Sequence, residues 1–332
     1  MIKLLKSRIK TILERFPPQG INYEYWSRLR KLPGMVSVGE RRLLYEYARC
    51  STENIVEFGT FFGSSAGALA VGLIKRPQPT SSKVYLYDAF EVEAAHPFAR
   101  HVVERAEAYG LIDRIEIDRK KVSWRNLIDY LLRDWQGQYE INQVVVKPGQ
   151  IIPSLPLKIG LLHLDMPKDL LTATPIVEQV FPRCEPGSVI AFQDYYYHFS
   201  GDLVAFFEFA QDIGMLLLEQ SEGCTAFFRV NSRLPEDLMA RFLRSSDILS
   251  GLVKAVDNCF RSSCTSHQKV SLAMACLETR VRLCTDVGSL SLLQRDVVAL
   301  IEQCIRLNMP VSLRCLSEIF TERVIVLHGN CP

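Results

Sequence analysis

Short apolar runs alternate with amphipathic segments through the middle of the chain, and this alternation predicts repeated β-α-β units. Runs of four to six residues rich in Ile, Val, Leu and Phe have the length of buried strands. Units of this kind favour a doubly wound, mostly parallel sheet with helices on both faces. The five predicted parallel strands are 54–58, 83–87, 143–146, 159–164 and 188–193, and a closing antiparallel pair is predicted at 215–218 and 226–230.

Between these strands, apolar residues recur at helical spacing. Leu43, Leu44 and Tyr47 share one face of a helix predicted over 38–49. Further helices are predicted up to Leu73, over most of 96–135, around 176–180 and over 203–211.

From Leu234 onward the strand patterns nearly stop, and periodic apolar residues predict an appended helical C-terminal region. The predicted organisation is therefore basic N-terminal helices at 1–50, an α/β domain at 51–231 and a helical region at 232–332. The first 50 residues carry eleven Lys and Arg against four Asp and Glu. A basic amphipathic helix up to Phe16 either lies on an anionic membrane surface or packs on the protein, and we favour packing.

Composition narrows the class of protein. Of the 332 residues, 48% are hydrophobic and 23% charged, which is typical of a folded domain rather than a disordered chain. A net charge of +2 provides no general field for nucleic acid. The longest uncharged apolar stretch, Phe58 to Ile74, contains four glycines and is shorter than the ~20 residues of a membrane helix. We expect neither a nucleic-acid partner nor a transmembrane segment.

The chain contains ten cysteines, and none forms the C-x-x-C pair of zinc or redox sites. The segment Met1 to Lys6 lacks the apolar core of a secretion signal. We therefore expect a cytoplasmic protein whose reduced cysteines act as small buried apolar residues.

Three predicted strands end on an acid, at Asp88, Asp165 and Asp194. A carboxylate directly after a buried strand is costly unless solvent or a ligand meets it. Because ligands bind outside the carboxyl ends of the strands in open α/β sheets, these residues predict a site at that edge. Asp88 is placed to accept hydrogen bonds from the two hydroxyls of a ribose.

The turn after the first strand is the most specific motif. Residues Glu57 to Ser65, EFGTFFGSS, space their glycines four apart, whereas a nicotinamide fingerprint needs G-x-G-x-x-G. The wider turn lets the backbone approach a ligand without a pyrophosphate, with the N-terminus of the next helix facing a carboxylate.

Several segments in the same order resemble class I S-adenosylmethionine-dependent methyltransferases. Segment 54–65 is similar to their motif I, and 87–91 to the acidic segment after their second strand. Segments 162–165, 181–187 and 192–195 resemble the macrocin O-methyltransferase family in particular. The resemblance implies a class I methyltransferase-like Rossmann fold and O-methylation of a sugar or secondary-metabolite hydroxyl.

The resemblance, which covers about residues 35 to 230, implies S-adenosylmethionine as cofactor. Asp165, Asp194 and His198 are the candidate catalytic residues, His198 as a replacement for the family's base. We expect a small-molecule hydroxyl acceptor to lie over Asp165, Asp194 and Tyr195. The cofactor-binding residues that it implies are Glu57, Gly59, Thr60, Gly63, Ser65, Asp88 and Phe90.

Two departures from the family pattern affect the metal-binding site and the general base that the resemblance implies. The family has Asp-x-Asp after the fourth strand and Asp-Asp-Tyr after the fifth, whereas Pro167 stands here at the base position and Gln193 replaces a metal ligand. Asp165, Asp194 and the Gln193 amide form a weakened set for Mg²⁺, the candidate second cofactor. Loss of the base affects proton removal from the hydroxyl, a contribution of roughly 10²–10⁴-fold.

Three residues are candidates for the missing base, and none is decided by the sequence. His163 lies inside a strand, where a hydrogen-bonded core histidine is the simpler interpretation. His198 follows 195–197 on a loop at the sheet edge, and imidazole titrates near neutral pH. Asp169 lies four residues beyond Asp165 and could reach the site if the loop around Pro167 differs from the family's, but an acid at the N-terminus of a helix is the simpler interpretation.

An O-methyltransferase is the leading expectation, and a homo-oligomer stays open. One alternative is a methyltransferase-like domain that has lost turnover and binds the cofactor or a partner. Another is a scaffold whose helical C-terminal region, with seven of the ten cysteines, is the active part.

Overall fold

The computed structural model describes residues 16–18, 20–78, 80–166, 168–245, 248–261 and 264–283. The predicted N-terminal helix, Pro167 and the segment 284–332 lie outside the described residues. In the described part, ten strands form a large and a small sheet. The strands are β1 Asn54–Phe58, β2 Val84–Asp88, β3 Glu91–Glu93, β4 Glu116–Ile117, β5 Lys121–Ser123, β6 Tyr139–Gln143, β7 Ile159–Leu164, β8 Cys184–Phe192, β9 Leu216–Glu222 and β10 Thr225–Val230.

Helices flank these strands along the chain. The α-helices of the described residues are α1 Tyr23–Lys31, α2 Val38–Cys50, α3 Ser64–Ile74, α4 Pro97–Ala108, α5 Arg125–Leu132, α6 Leu170–Gln179, α7 Gly201–Asp212, α8 Leu238–Ser245, α9 Ile248–Arg261 and α10 Ser266–Leu283. Within the residues described, no helix is both long and apolar enough to cross a membrane.

The large sheet has the order β6-β2-β1-β7-β8-β10-β9. The first five of these strands are parallel to one another, and β10 pairs antiparallel with both β8 and β9. The strand order therefore reverses between β1 and β7, which makes the carboxyl ends of these two strands the switch point. The predicted mostly parallel sheet with a closing antiparallel pair is confirmed.

Two apolar clusters cover the two faces of this sheet. One joins β1 and β7 to α2 and α3, and the other joins the opposite face to α6, α7 and the C-terminal helices. Helices α2 and α3 approach closely because Gly72 has no side chain. A Cβ there would lie 2.6 Å from both the Ala48 Cβ and the Tyr45 carbonyl oxygen. This close approach fixes α3, and with it the turn that precedes α3.

Three sequence predictions need correction. Strand β6 is Tyr139–Gln143 rather than 143–146, because the more polar segment pairs with β2 and is the edge strand of the large sheet. Val144 and Val146 are buried beyond the end of β6, so their apolar character does not mark a strand. Part of the predicted helical segment 96–135 forms β4 and β5. Strand β5 pairs antiparallel with both β3 and β4, and the three strands form the small sheet. Helix α1 was not predicted.

The described part of the C-terminal region packs against the α/β domain. In α9, Leu252 and Ala255 are buried in the same apolar cluster as β7 and β8. A Cβ on Gly251 would lie 3.0 Å from the Ala205 Cβ and 3.1 Å from the Ala205 Cα. Helices α7 and α9 therefore cross at a point where no larger side chain fits.

We predict that Gly251→Val lowers the free energy of unfolding by about 1–3 kcal/mol, because overpacking forces α9 away from Ala205. The measurement is urea unfolding followed by circular dichroism. Asp257→Val is the control, since it adds the same side chain at an exposed position of α9. Equal stability of Gly251→Val and the control would contradict the close packing of α7 and α9.

Candidate active site

The candidate site lies at the switch point, where the loops after β1 and β7 leave the sheet. Open α/β sheets bind ligands in the crevice outside this point. The amide nitrogens of Asp165 and Met166 donate to the Phe58 carbonyl over 2.8 and 3.2 Å. The two loops therefore leave the sheet side by side, and the residues that follow β1 and β7 are brought together.

The turn between β1 and α3 adopts the left-handed backbone conformation at Gly59, Phe61 and Gly63, with φ values of 89°, 45° and 77°. A Cβ on Gly59 would lie 2.9 Å from the Asp165 carbonyl carbon and from the Met166 nitrogen, so a larger residue does not fit. Gly63 is the N-cap of α3 and provides no side-chain cap. The first amides of α3 therefore stay available to a ligand.

Asp88, at the end of β2, holds this turn through both carboxylate oxygens. Its Oδ2 accepts a hydrogen bond from the Phe61 amide over 2.9 Å, and its Oδ1 accepts one from the Phe90 amide over 2.8 Å. Burial raises the pKa of Asp88 to about 6, although these main-chain donors oppose the shift. Each carboxylate oxygen keeps a further lone pair that could accept from a ligand hydroxyl.

An aromatic cluster lies beside Asp88. Phe90 is fully buried, and its carbonyl accepts a hydrogen bond from the Trp124 amide over 2.9 Å. The Phe61 ring lies edge-on to Trp124 at 6.1 Å and tilted against Phe98 at 5.6 Å, measured between ring centroids. The buried indole N–H of Trp124 has no hydrogen-bond partner in the described part of the chain. The cluster combines flat apolar surfaces with an unused donor.

A line of buried polar side chains crosses the central strands at this edge. His163 Nδ1 lies 2.8 Å from Glu57 Oε1, and His163 Nε2 lies 3.0 Å from Gln193 Oε1. Glu57 and His163 are fully buried and are register partners across β1 and β7. Burial alone lowers the pKa of His163, but the hydrogen bond and charge of Glu57 outweigh it, so the net shift is upward. The contact favours an imidazolium–carboxylate pair.

Two buried oxygens next to the glycine turn lack hydrogen-bond partners among the described residues. They are Glu57 Oε2 and Thr60 Oγ1. An unsatisfied buried polar atom costs about 1–3 kcal/mol, so such atoms are typical of a site that a ligand or water completes. Ser65, buried in the first turn of α3, also lies in this segment. The predicted cofactor residues thus gather around one turn.

The strand-end carboxylates of Asp165 and Asp194 share a cation that the chain itself supplies. Lys168 Nζ lies 2.7 Å from the Asp165 carbonyl oxygen and 3.4 Å from Asp165 Oδ1, and it forms an ion pair with Asp194 Oδ2. Burial raises the pKa of Asp165, and the charges of Lys168 and His163 oppose the shift. Lys168 is absent from the residues predicted above, although its place three residues after a strand-end aspartate was an available signal.

Of the three predicted metal ligands, Gln193 is directed away from Asp165 and Asp194. The Gln193 amide oxygen is used by His163, and Gln193 is 5% exposed. The ammonium of Lys168 contacts both Asp165 and Asp194. In the described residues, no three His, Cys, Asp or Glu side chains form a group that could hold a metal. Because Mg²⁺ prefers several anionic oxygens, this donor set does not fit it.

The three candidate bases lie in different surroundings. His163 is buried, and both of its ring nitrogens are engaged by Glu57 and Gln193. Asp169 is the N-cap of α6, and its Oδ1 accepts a hydrogen bond from the Thr172 amide over 2.8 Å. His198 begins a 3₁₀ turn, His198–Ser200, on the loop after β8, and its side chain lies outside what the structure describes. Asp169 is therefore engaged in capping rather than directed to Asp165.

The acceptor contact expected at Tyr195 needs correction. Tyr195 is 2% exposed, and its hydroxyl donates to Glu208 Oε1 over 2.5 Å. Tyr197 and Phe199 on the same loop are 38% and 54% exposed, with ring centroids 5.3 Å apart. These two rings, rather than Tyr195, offer aromatic surface at this edge.

A cavity of about 470 Å³ lies at the opposite edge of the sheet. Its lining includes Glu53, Gly160 and Glu185, at the amino ends of the central strands. The length of a five-residue strand, roughly 17 Å, separates it from the glycine turn. It is not part of the candidate site.

No protein-family model matches the chain, and no curated protein matches it either. Several solved structures are similar to it. The O-methyltransferase NovP has a TM-score of 0.42 and 12% identity, over 67% of this chain and 94% of NovP. The SAH-bound Podospora anserina methyltransferase PaMTH1 has a TM-score of 0.42 and 14% identity, over 70% of this chain and 97% of its own. A Bacillus cereus O-methyltransferase in complex with SAH has a TM-score of 0.38 and 14% identity, over 70% of this chain and 100% of the Bacillus cereus chain.

We predict that His163→Leu lowers the free energy of unfolding by about 3–5 kcal/mol, because it leaves the buried Glu57 carboxylate without its partner. The double variant Glu57→Met/His163→Leu, which replaces the pair by apolar side chains, is expected to lose less. Urea unfolding of the single and double variants gives the comparison. A double variant less stable than His163→Leu would show that the pair is not the source of the loss.

Proposed function

We propose that the chain is an S-adenosylmethionine-dependent methyltransferase that transfers a methyl group to a hydroxyl of a small molecule, such as a sugar or secondary metabolite. The observation that carries the proposal is the glycine turn at the switch point, with two unpartnered buried oxygens, Glu57 Oε2 and Thr60 Oγ1, beside it. An S-adenosylmethionine molecule has an ammonium and several hydroxyls that can satisfy such oxygens. The catalytic work is assigned to residues 51–231.

The residues around the turn fit the parts of this cofactor. Glu57 supplies a buried carboxylate for a cationic group, and the free amides at the start of α3 suit a carboxylate. Asp88 keeps lone pairs for the ribose hydroxyls. The Phe61 and Trp124 rings offer flat surface for a base, and the Trp124 indole N–H offers a donor. Gly59 keeps the backbone accessible where no side chain fits.

S-adenosylmethionine supplies a methyl group on a sulfonium, which is electrophilic without further activation. The chain would bind and orient both reactants so that the acceptor oxygen lies in line with the methyl–sulfur bond. Held by Glu57, Asp88 and the first amides of α3, the cofactor would supply the methyl group for a new carbon–oxygen bond, and its sulfur would keep the electron pair of the broken bond. The hydroxyl proton goes to a base at the sheet edge, for which Asp165, Asp194 and His198 are the candidates.

The acceptor is proposed to lie over the loops after β7 and β8. Asp165 and Asp194 are partly exposed there, at 11% and 14% of their side-chain surface. The exposed rings of Tyr197 and Phe199 provide apolar surface of the kind that stacks on sugars and aromatic rings. This combination favours a polyhydroxylated or aromatic small molecule.

The first test is calorimetric titration with S-adenosylmethionine and S-adenosylhomocysteine, followed by a methyl-transfer assay on a library of sugars and phenolic glycosides. We expect saturable binding of both compounds and methylation of at least one acceptor class. Binding without transfer would favour a domain that has lost turnover. Absence of binding would refute the proposal.

A second prediction concerns Asp88. Because burial raises its pKa to about 6, the carboxylate is ionised at neutral pH and becomes protonated as the pH falls below about 6. Protonation removes acceptor capacity, so the affinity for S-adenosylhomocysteine is expected to fall between pH 7 and pH 5. Asp88→Asn is expected to weaken binding at neutral pH by about 10- to 100-fold and to flatten the pH profile.

Asp118→Asn is the matched control for Asp88→Asn. The Asp118 carboxylate also accepts main-chain hydrogen bonds, from Lys120 and Lys121, but in an exposed hairpin turn. We expect this variant to bind S-adenosylhomocysteine like the unaltered protein. An unchanged affinity in Asp88→Asn would remove Asp88 from the cofactor site.

A further inference from the structure

We propose that the ammonium of Lys168 is the resident cation of this site: it takes the place between Asp165 and Asp194 that a divalent metal would need, so that methyl transfer proceeds without a metal. The inference rests on the proposed function and deepens it. It also makes a prediction about metal binding that does not depend on catalysis.

The contacts of the ammonium are those of a bound cation. Lys168 Nζ lies 2.7 Å from the Asp165 carbonyl oxygen and 3.4 Å from Asp165 Oδ1, and it is ion-paired with Asp194 Oδ2. These oxygens come from two neighbouring strands, β7 and β8, and the ammonium joins their carboxyl ends. Two largely buried carboxylates at one edge repel each other unless a cation lies between them.

The third oxygen that a divalent metal would use is directed elsewhere. Gln193 Oε1 lies 3.0 Å from His163 Nε2, and Gln193 is 5% exposed. His163 is held in turn by Glu57 at 2.8 Å. Turning Gln193 outward would leave the His163 nitrogen buried without a partner, which is unfavourable. The chain therefore offers two carboxylates, one main-chain carbonyl and an ammonium here, without the third side-chain oxygen of the predicted metal site.

Charge also disfavours a metal at this position. A divalent cation that bound Asp165 and Asp194 would lie within a few ångströms of the Lys168 ammonium, and like charges at that distance repel strongly in a partly buried site. The Lys168 side chain would have to leave both carboxylates first. The ammonium and the metal are therefore competitors for one site.

An ammonium can replace the metal's electrostatic role. The group has three N–H donors, and the Lys168 side chain is 48% exposed, so it is accessible to a bound acceptor. The contact with Asp165 Oδ1 is long, at 3.4 Å, so its N–H can turn to the acceptor oxygen. There it stabilises the negative charge that develops as the hydroxyl loses its proton. Stabilisation by one such preorganised group is worth about 10²–10³-fold in rate.

The test compares Mn²⁺ binding, measured by calorimetry and electron paramagnetic resonance, in the unaltered protein, Lys168→Ala and Lys168→Arg. We expect no saturable Mn²⁺ site in the unaltered protein or in Lys168→Arg, which keeps a cation. Lys168→Ala is expected to bind Mn²⁺ at least ~10-fold more tightly, because the competing charge is gone. Lys158→Ala is the control, since it removes a lysine that pairs with Glu185 away from the site.

The activity arm uses the same proteins with the acceptor found in the transfer assay. We expect full activity of the unaltered protein in excess EDTA, a loss of about 10²-fold in Lys168→Ala and partial recovery of that variant with Mg²⁺ or Mn²⁺. Lys158→Ala should behave like the unaltered protein. S-adenosylhomocysteine affinity in Lys168→Ala should stay unchanged, which separates loss of the cation from loss of the cofactor site.

A stoichiometric Mn²⁺ site in the unaltered protein, or activity abolished by EDTA and restored by Mg²⁺, would overturn the proposal. Failure of a folded Lys168→Ala to gain a Mn²⁺ site would overturn it as well. If Lys168→Ala does not fold, Lys168→Gln serves in its place, because it removes the charge, keeps a long side chain and supplies a neutral amide oxygen. If no acceptor is ever methylated, the proposed function fails, and the Mn²⁺ comparison still decides whether Lys168 occupies the cation position.

Discussion

The buried contact between Glu57 and His163 is the constraint on which the rest of the site depends. A carboxylate in the middle of a sheet is tolerated only with a partner, and the imidazole of the neighbouring strand provides one at 2.8 Å. The second imidazole nitrogen needs a partner too, and Gln193 at the end of β8 supplies it. The carboxylate of Glu57 on β1 therefore requires a hydrogen-bonding partner on β7, His163, and that partner requires a second one after β8, Gln193.

This dependence explains why an amide stands at position 193. A carboxylate there would lie beside the Glu57–His163 pair and add a second negative charge to a fully buried group. An amide oxygen accepts from the imidazole without that charge. The consequence at the sheet edge is that the carboxylates of Asp165 and Asp194 have no third side-chain oxygen beside them. Lys168, from the loop after β7, neutralises the negative charge of these two carboxylates, so no ion from solvent is needed.

Strands and turns could be predicted from the sequence where a local pattern of residues determines them. Strands β1 and β7 match their predicted bounds because both are apolar and lie in the middle of a sheet, and the glycine turn follows β1 as predicted. Strand β6 was misplaced because it is a polar edge strand, while the apolar Val144 and Val146 are buried outside any strand. The contact of Gln193 with His163 and the ion pair of Lys168 with Asp194 could not be predicted, since each depends on how neighbouring strands align in space.

The described helices of the C-terminal region support the loop that carries Asp194. The loop after β8 carries Asp194, and the Tyr195 hydroxyl beside it is held by Glu208 of α7. Asn258 of α9 donates to the other oxygen of Glu208 over 3.2 Å, so a helix of the appended region positions the residue next to Asp194. A Cβ on Gly201, which begins α7, would lie 2.7 Å from Thr279 Oγ1 of α10. The edge that carries Asp194 is therefore supported from behind by helices that lie outside the α/β domain in sequence, and its geometry depends on both parts of the chain.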